Sequence, residues 1–159
     1  MARLIRVNWP GAGDWVMARV GGVFNDRTDH CVSRHDDRNA VLGGVVFTGF
    51  LHGSIILHMA GNETHWASRD FLWMVYDYAF NQLGVRKCVG LVASNNSRAL
   101  SIDLRMGFRI EAKLTDMLVD GGDLMILTLK KADCKWLRIT PRHYRSNTEP
   151  DVRCISEGT

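Results

Sequence analysis

The chain has 159 residues, of which 46% are apolar and 23% are charged. This composition is typical of one folded domain and excludes a disordered or low-complexity protein. No apolar run is long enough to span a bilayer, and Met1–Val7 is not followed by the apolar stretch of a signal peptide. We therefore expect a cytoplasmic protein with no membrane contact. The net charge is +3, which is too small to indicate a class of partner by itself.

The first elements in chain order are a short helix and three strands. Asp14 is the expected N-cap of the helix, and the Gly21-Gly22 pair ends it. Valine-rich or alternating segments then predict antiparallel strands at His30–Arg34, Ala40–Phe50 and Ser54–Ala60. The Gly43-Gly44 pair inside the second strand predicts a bulge or a close backbone approach.

The second half of the chain alternates helices and strands. Arg69–Leu83 has apolar residues at steps of three and four, which predicts a helix that Gly84 ends. Lys87–Ala93 is an apolar strand, and the segment 94–97 supplies caps for a second helix that ends at Gly107. Phe108–Leu118 and Leu124–Leu129 are predicted strands joined by a turn at 120–122. We therefore expect an α/β domain over residues 1–137 and a polar, loosely ordered tail over 138–159.

Two groups of side chains, the basic residues near the end of the chain and the cysteines, bear on the partners of the protein and on metal binding. The segment Lys130–Arg145 has Lys or Arg at positions 130, 131, 135, 138, 142 and 145 against one acid, Asp133. Both a solvated basic face and a patch for a nucleic acid or an acidic partner remain open. The four cysteines show no metal-ligand spacing, so no metal site is expected. Cys31 and Cys88 lie in apolar segments and are expected to be buried free thiols.

A polar loop, Gly61–Ser68, connects a strand to the long helix and predicts an anion site. The first amides of a helix lack backbone partners, and the helix dipole favours negative charge there. The amides of Trp66, Ala67, Ser68 and Arg69 would be presented in this way, and the guanidinium of Arg69 suits a phosphate. An ordinary connection without a ligand remains open, because every α/β protein has such loops.

The segment after this loop resembles the acetyl-CoA-dependent N-acyltransferases of the GNAT superfamily. Val92 to Ala99 matches the pattern V-x-x-x-N-x-x-A of that superfamily, and Gly107-Phe108 matches its terminal G-F pair. The resemblance covers Trp9 to Leu137. It is similar to the branch that acetylates protein N-termini, including small members encoded by bacteriophages. It implies a mixed, mostly antiparallel sheet with one splayed parallel strand pair, flanked by helices.

The resemblance also implies acetyl-CoA as the cofactor and a set of residues that bind it. The strand Ser54–Ala60 would splay from Lys87–Ala93, and the main chain of His58, Met59 and Ala60 would pair with the pantetheine arm. The pyrophosphate would lie on Trp66, Ala67, Ser68 and Arg69. Asn96 would hydrogen-bond the cofactor. An ordinary helix cap is the alternative role, and the two roles are compatible. Ala99 and Ile102 would pack against the arm.

Two departures from the family pattern affect this expectation. The phosphate loop usually contains glycines in its second half, whereas here only Ala67 and Ser68 are small, and Glu63 adds a negative charge. Asp103 stands where many members carry a tyrosine that protonates the leaving thiolate. Asp103 could act as that acid if burial raised its pKa strongly. Binding of a cationic acceptor and a plain surface position are the other interpretations.

The resemblance implies transfer of an acetyl group to a primary amine, with a protein N-terminus or a lysine as the expected acceptor. His58 is the candidate base, with a structural histidine as the alternative, and His30 and His52 are weaker candidates. The amide of Met59 would polarise the thioester carbonyl. A non-catalytic binding protein of the same fold and an aminoacyl-tRNA acetyltransferase remain alternatives. A homodimer is compatible with the apolar helix face.

Overall fold

The structure, a computed structural model, describes residues 4–62 and 65–141. The expectations for Glu63 and for the tail beyond Pro141 lie outside these residues. Seven strands form one sheet in the order β1-β2-β3-β4-β5-β7-β6. The strands are β1 Leu4–Val7, β2 His30–His35, β3 Val41–Thr48, β4 Ser54–Gly61, β5 Lys87–Ala93, β6 Arg109–Leu114 and β7 Leu124–Lys130.

Three helices flank the sheet: α1 Ala12–Val20, α2 Arg69–Asp77 and α3 Ser97–Met106. A π-helical turn, Tyr78–Gln82, continues α2, and two short 3-10 turns, Lys131–Asp133 and Lys135–Arg138, follow β7. The β4–β5 pair is parallel, while the other neighbouring strands are antiparallel. The prediction of a mostly antiparallel sheet with one parallel pair is therefore confirmed.

The two faces of the sheet are covered by different helices. Successive residues of a strand point to opposite faces. Val46 of β3 packs with Val16 and Met17 of α1, whereas Val45 and Phe47 belong to the larger core. That larger core contains the apolar side of α2 and, from α3, Met106 with the partly buried Ala99 and Leu100. We call the two sides the α1 face and the α2 face.

The element boundaries differ from the expectations where glycines or local polar contacts redirect the chain. Asp14 is not the N-cap of α1, because the helix begins at Ala12 after Gly11. Asp14 lies in the first turn, where its negative charge interacts favourably with the helix dipole. β3 stops at Thr48 because Gly49 takes a positive φ of 60°. β6 stops at Leu114, since the amides of Met117 and Leu118 donate to the carbonyl of Gly122 and close a turn. β1 was not predicted at all.

The Gly43-Gly44 pair lies beside a bulge, as its composition predicts. Arg34 of β2 is paired with Gly43 and His35 with Val41, so Leu42 is an extra residue on β3. The expected thiols are also confirmed: Cys31 and Cys88 are free and buried. Burial raises the pKa of Cys31 to about 12. Within the described ranges, no helix is long and apolar enough to cross a membrane.

Candidate active site

The parallel strands β4 and β5 separate halfway along their length. They pair at Ser54–Lys87, Ile55–Cys88 and Ile56–Val89, and their register ends there. Beyond that point β4 remains paired with β3, and β5 remains paired with β7. The edges that the two strands turn toward each other therefore carry backbone groups without a strand partner in the described part of the chain. An extended ligand could pair with such edges as an added strand.

The residues predicted to bind the cofactor arm line this gap. His58, Met59 and Ala60 follow the last parallel pair and are all half-buried. The side chain of Met59 packs against the larger core, and that of Ala60 packs against the α1 core. The side chains of Met59 and Ala60 therefore pack into the two cores, and the main chain of these residues borders the gap.

His58 lies on the α1 face of the sheet. It pairs across the sheet with Val46, which belongs to the α1 core, and its Nε2 is 2.9 Å from Oγ1 of Thr48 in a hydrogen bond. Burial lowers the pKa of His58, and the carboxylate of Asp29 opposes part of that effect. A lowered pKa keeps the imidazole neutral at pH 7, which is the form that accepts a proton.

Asp103 reaches β5 from the α2 face. Its Oδ2 lies 3.3 Å from the position that a Cβ would take on Gly90, so the carboxylate packs directly on the strand. The residue is half-buried, and burial raises the pKa of its carboxyl to about 6. The side chain is therefore not on the solvent side of α3, and a fraction of it is protonated near neutral pH.

The raised pKa of Asp103 makes the stability of the folded protein depend on pH. The folded pKa of about 6 exceeds the unfolded value of 3.8, so the native state holds the extra proton between these pH values. The wild type thus loses stability from this group as pH rises through 6. We expect the free energy of unfolding of Asp103→Asn, relative to that of the wild type, to increase by about 1–3 kcal/mol from pH 4 to pH 7. Urea unfolding at both pH values measures this, and a pH-independent difference would contradict it.

The helix α2 begins beside the open end of the gap. Ser68 is its N-cap, and Oγ of Ser68 accepts a hydrogen bond from the amide of Phe71 at 3.3 Å. The amide of Ser68 donates to the carbonyl of Trp66. Of the four amides predicted to face a phosphate, those of Trp66, Ala67 and Arg69 have no hydrogen-bond partner among the described residues. The Arg69 side chain is exposed.

The indole of Trp66 packs on two glycines that are paired on neighbouring strands. Gly43 of β3 and Gly61 of β4 are register partners, and a Cβ on either one would overlap the indole. The ring also meets Phe71 edge to face, with centroids 5.5 Å apart. The backbone of the loop is therefore held close to the end of β4 by the Trp66 side chain, although the loop itself has no glycine after Gly61.

Arg34 of β2 also binds this loop. Its Nη1 donates to the carbonyl of His65 at 3.0 Å and to the carbonyl of Trp66 at 2.6 Å. Carbonyls that accept these bonds point toward Arg34, and amides of the same peptides then point away from it. This contact was not predicted, because it joins residues 32 positions apart.

The remaining predicted residues are placed as follows. Asn96 is the N-cap of α3, and its Oδ1 accepts a hydrogen bond from the amide of Ala99 at 3.1 Å, so the helix-cap role is present. Ala99 packs against the core, and Ile102 is 39% exposed. Nδ1 of His30 is 3.0 Å from the hydroxyl of Tyr78 on the α2 face. His52 is exposed in the β3–β4 turn, at the end of β4 opposite the gap.

Comparisons with known proteins agree with this geometry at the level of the fold. No family model matches the chain, and no curated protein matches its sequence. A mutant of spermidine N-acetyltransferase SpeG from Vibrio cholerae is similar in structure, with a TM-score of 0.67 at 16% identity over 85% of this chain and 96% of that chain. The dodecameric structure of that enzyme in an intermediate state gives a TM-score of 0.63 at 16% identity over 82% and 94% of the two chains.

The chain has the GNAT fold. The sequence motif that carried this expectation, Val92 to Phe108, spans the end of β5 and the whole of α3. The splayed strands β4 and β5 and the N-terminus of α2 occur here in the order expected from the resemblance.

Proposed function

We propose that the protein transfers an acetyl group from acetyl-CoA to a primary amine in the gap between β4 and β5. The observation that supports this most is the placement of His58 and Asp103. His58 follows the last parallel pair of β4 on the α1 face, and Asp103 packs on Gly90 of β5 on the α2 face. Acyl transfer needs a proton acceptor on the amine side and a proton donor on the thiol side.

The cofactor would lie along β4 and end at α2. Acetyl-CoA supplies the activated acetyl thioester. The main chain of His58, Met59 and Ala60 would bind the pantetheine arm, and Ala99 and Ile102 would border it. The amides of Ala67 and Arg69 and the Arg69 guanidinium would bind the pyrophosphate. Asn96 keeps its Nδ2 donor for the cofactor while its Oδ1 caps α3.

The acceptor ammonium first loses one proton to solvent and becomes the neutral amine. In the reaction a C–N bond then forms, the C–S bond breaks, the nitrogen loses a second proton, and the thiolate gains one. His58 would accept the proton that the amine loses. If its Nε2–H donates to Oγ1 of Thr48, the lone pair of Nδ1 is available as the base. Thr48 is then a positioning residue that selects this tautomer.

On the other side of the gap, Asp103 would donate the proton that the thiolate gains. A carboxyl with a pKa of about 6 is a stronger donor than the tyrosine expected at this position, but less of it is protonated at pH 7. The amide of Met59 would polarise the thioester carbonyl.

The motif resemblance and the similar solved structures suggest different acceptors. The motif resemblance favours a protein N-terminus or a lysine, whereas the similar solved structures are named as spermidine N-acetyltransferases. A positively charged acceptor fits both. The carboxylate of Asp29, which raises the pKa of both His30 and His58, would attract such an amine toward these two residues.

The test is a thiol-release assay with acetyl-CoA and three acceptors: an N-terminal peptide, a lysine peptide and spermidine. We expect turnover with at least one, and mass spectrometry should show a gain of one acetyl group on the amine. Tight acetyl-CoA binding without turnover on any acceptor would instead favour a binding protein of the same fold.

Replacing Arg69 tests the cofactor site independently of the acceptor. We expect Arg69→Ala to weaken acetyl-CoA binding by about 1–3 kcal/mol, the value of a charge-assisted bond to phosphate. Arg38→Ala, which removes an exposed arginine from the β2–β3 turn, is the matched control and should leave the affinity unchanged. Equal affinities for the two variants would remove Arg69 from the site.

A further inference from the structure

The end of the sheet opposite the open gap carries a concave, strongly basic surface. A cavity of about 640 Å³ at the starts of β4 and β5 is lined by Leu51, Gly53, Ser54, Arg86, Lys87 and Lys130. None of these residues is acidic. The Arg86 guanidinium packs against Gly53, and the backbone carbonyl of Arg86 accepts a hydrogen bond from Lys131 at 3.4 Å.

A second, smaller cavity adjoins the first along β7. It has a volume of about 240 Å³, and Lys130 lines both cavities. Arg109 contributes a further cation to the second cavity, together with the acids Glu111 and Asp133. The carboxylate of Glu111 already has partners within the protein, because it accepts hydrogen bonds from Lys87 at 2.9 Å and from Thr128 at 2.6 Å.

The basic surface continues over the two 3-10 turns after β7. Nζ of Lys135 donates to the carbonyl of Arg105, which joins these turns to the end of α3. Seven of its eight cations are exposed, and Lys87 is half-buried. We call this set the basic end of the sheet: Arg86, Lys87, Arg105, Arg109, Lys130, Lys131, Lys135 and Arg138.

We infer that the basic end of the sheet binds the phosphate backbone of a nucleic acid. The cations extend from the end of α3 to the start of β5, which suits a repeating polyanion better than a single phosphate group. Cores of protein–protein interfaces are depleted in charged residues, whereas nucleic-acid interfaces are polar and strongly positive. The charge of this surface is local, since the whole chain is only +3.

The larger cavity of this surface lies at the end of β4 and β5 opposite the proposed acetyl-transfer gap. Lys87 precedes Gly90 by three residues, so the basic end begins about 10 Å along β5 from the point that Asp103 contacts. Binding of a nucleic acid and binding of acetyl-CoA are therefore measurable as independent properties, and neither depends on the acceptor.

The experiment is fluorescence anisotropy of the protein with labelled RNA and DNA duplexes of about 20 base pairs, at salt concentrations from about 50 to 200 mM. Four to six phosphate contacts predict a loss of affinity of about 10²–10³-fold over that range. Binding of either duplex with this dependence supports the proposal, and the RNA and DNA arms identify the source of the backbone.

Two variants of equal net charge locate the site. Arg86→Gln/Lys130→Gln removes two cations that line the cavity, and Arg38→Gln/Lys113→Gln removes two from the opposite end of the sheet. We expect the first variant to lose about two units of the salt slope and the second to keep the wild-type slope. Acetyl-CoA binding should be unchanged in both and shows that they are folded.

Three results would overturn the proposal. They are no binding of either duplex at the lowest salt, equal weakening in the two variants, and displacement of the duplex by polyglutamate at equal charge concentration. The last result would assign the surface to acidic proteins instead.

Discussion

Replacing His58 by alanine is expected to lower kcat about 10²–10⁴-fold, the range that a general base contributes. The affinity for acetyl-CoA should stay unchanged, because the proposed contact of His58 with the cofactor is through its main chain. The activity of the wild type should fall on the acid side of the His58 pKa, which burial places below 6.5. Steady-state kinetics between pH 5 and 9, with titration of acetyl-CoA, measure both effects.

Two further variants distinguish a base from a structural histidine. His52→Ala removes an exposed histidine at the far end of β4 and should retain wild-type kinetics. Thr48→Val removes the 2.9 Å hydrogen bond to His58 but leaves the imidazole in place, so we expect an intermediate loss in kcat with little change in KM. If His58→Ala keeps the pH profile of the wild type, His58 is not the base.

Replacing Gly61 by alanine is expected to weaken acetyl-CoA binding, although Gly61 has no predicted contact with the cofactor. The added methyl group would overlap the Trp66 indole, and such overpacking costs about 1–3 kcal/mol. The indole must move, and the loop amides of Ala67 and Arg69 move with it. A cost of this size corresponds to about 5–150-fold in the dissociation constant if it appears in binding.

A double-mutant cycle separates this effect from general loss of stability. Trp66→Ala removes the group that the methyl meets, so Gly61→Ala should have no added effect in the Trp66→Ala background. Gly53→Ala is the matched glycine control, because a Cβ there meets only the flexible end of Arg86. Additive losses in the cycle would show that Gly61 does not act through Trp66.

Much of the fold follows from local sequence patterns. The apolar spacing over 69–83 predicts one helix, which the structure divides into α2 and a π-helical turn. Gly84 and Gly107 follow the helices with φ values of 73° and 107°. β1 was missed because its four residues, LIRV, are too few to show an alternation. Its position at the sheet edge depends on pairing with β2, which is a long-range contact.

The candidate site was less predictable, because its features depend on register. The missing loop glycines suggested a weaker phosphate site, whereas Gly43 and Gly61 lie beneath the loop and let Trp66 approach the sheet. Gly43 was noted as a point of close approach, but its partner follows only from the pairing of β3 with β4. The pKa of Asp103 likewise depends on its burial over Gly90.

Calorimetric titration of the purified protein with acetyl-CoA tests the central claim most directly. The proposed gap, the α2 N-terminus and Arg69 predict one binding site per chain with a dissociation constant in the micromolar range, about −8 kcal/mol. CoA should compete for the same site. Absence of binding up to millimolar acetyl-CoA would contradict the claim, because the gap between β4 and β5 would then not be a cofactor site.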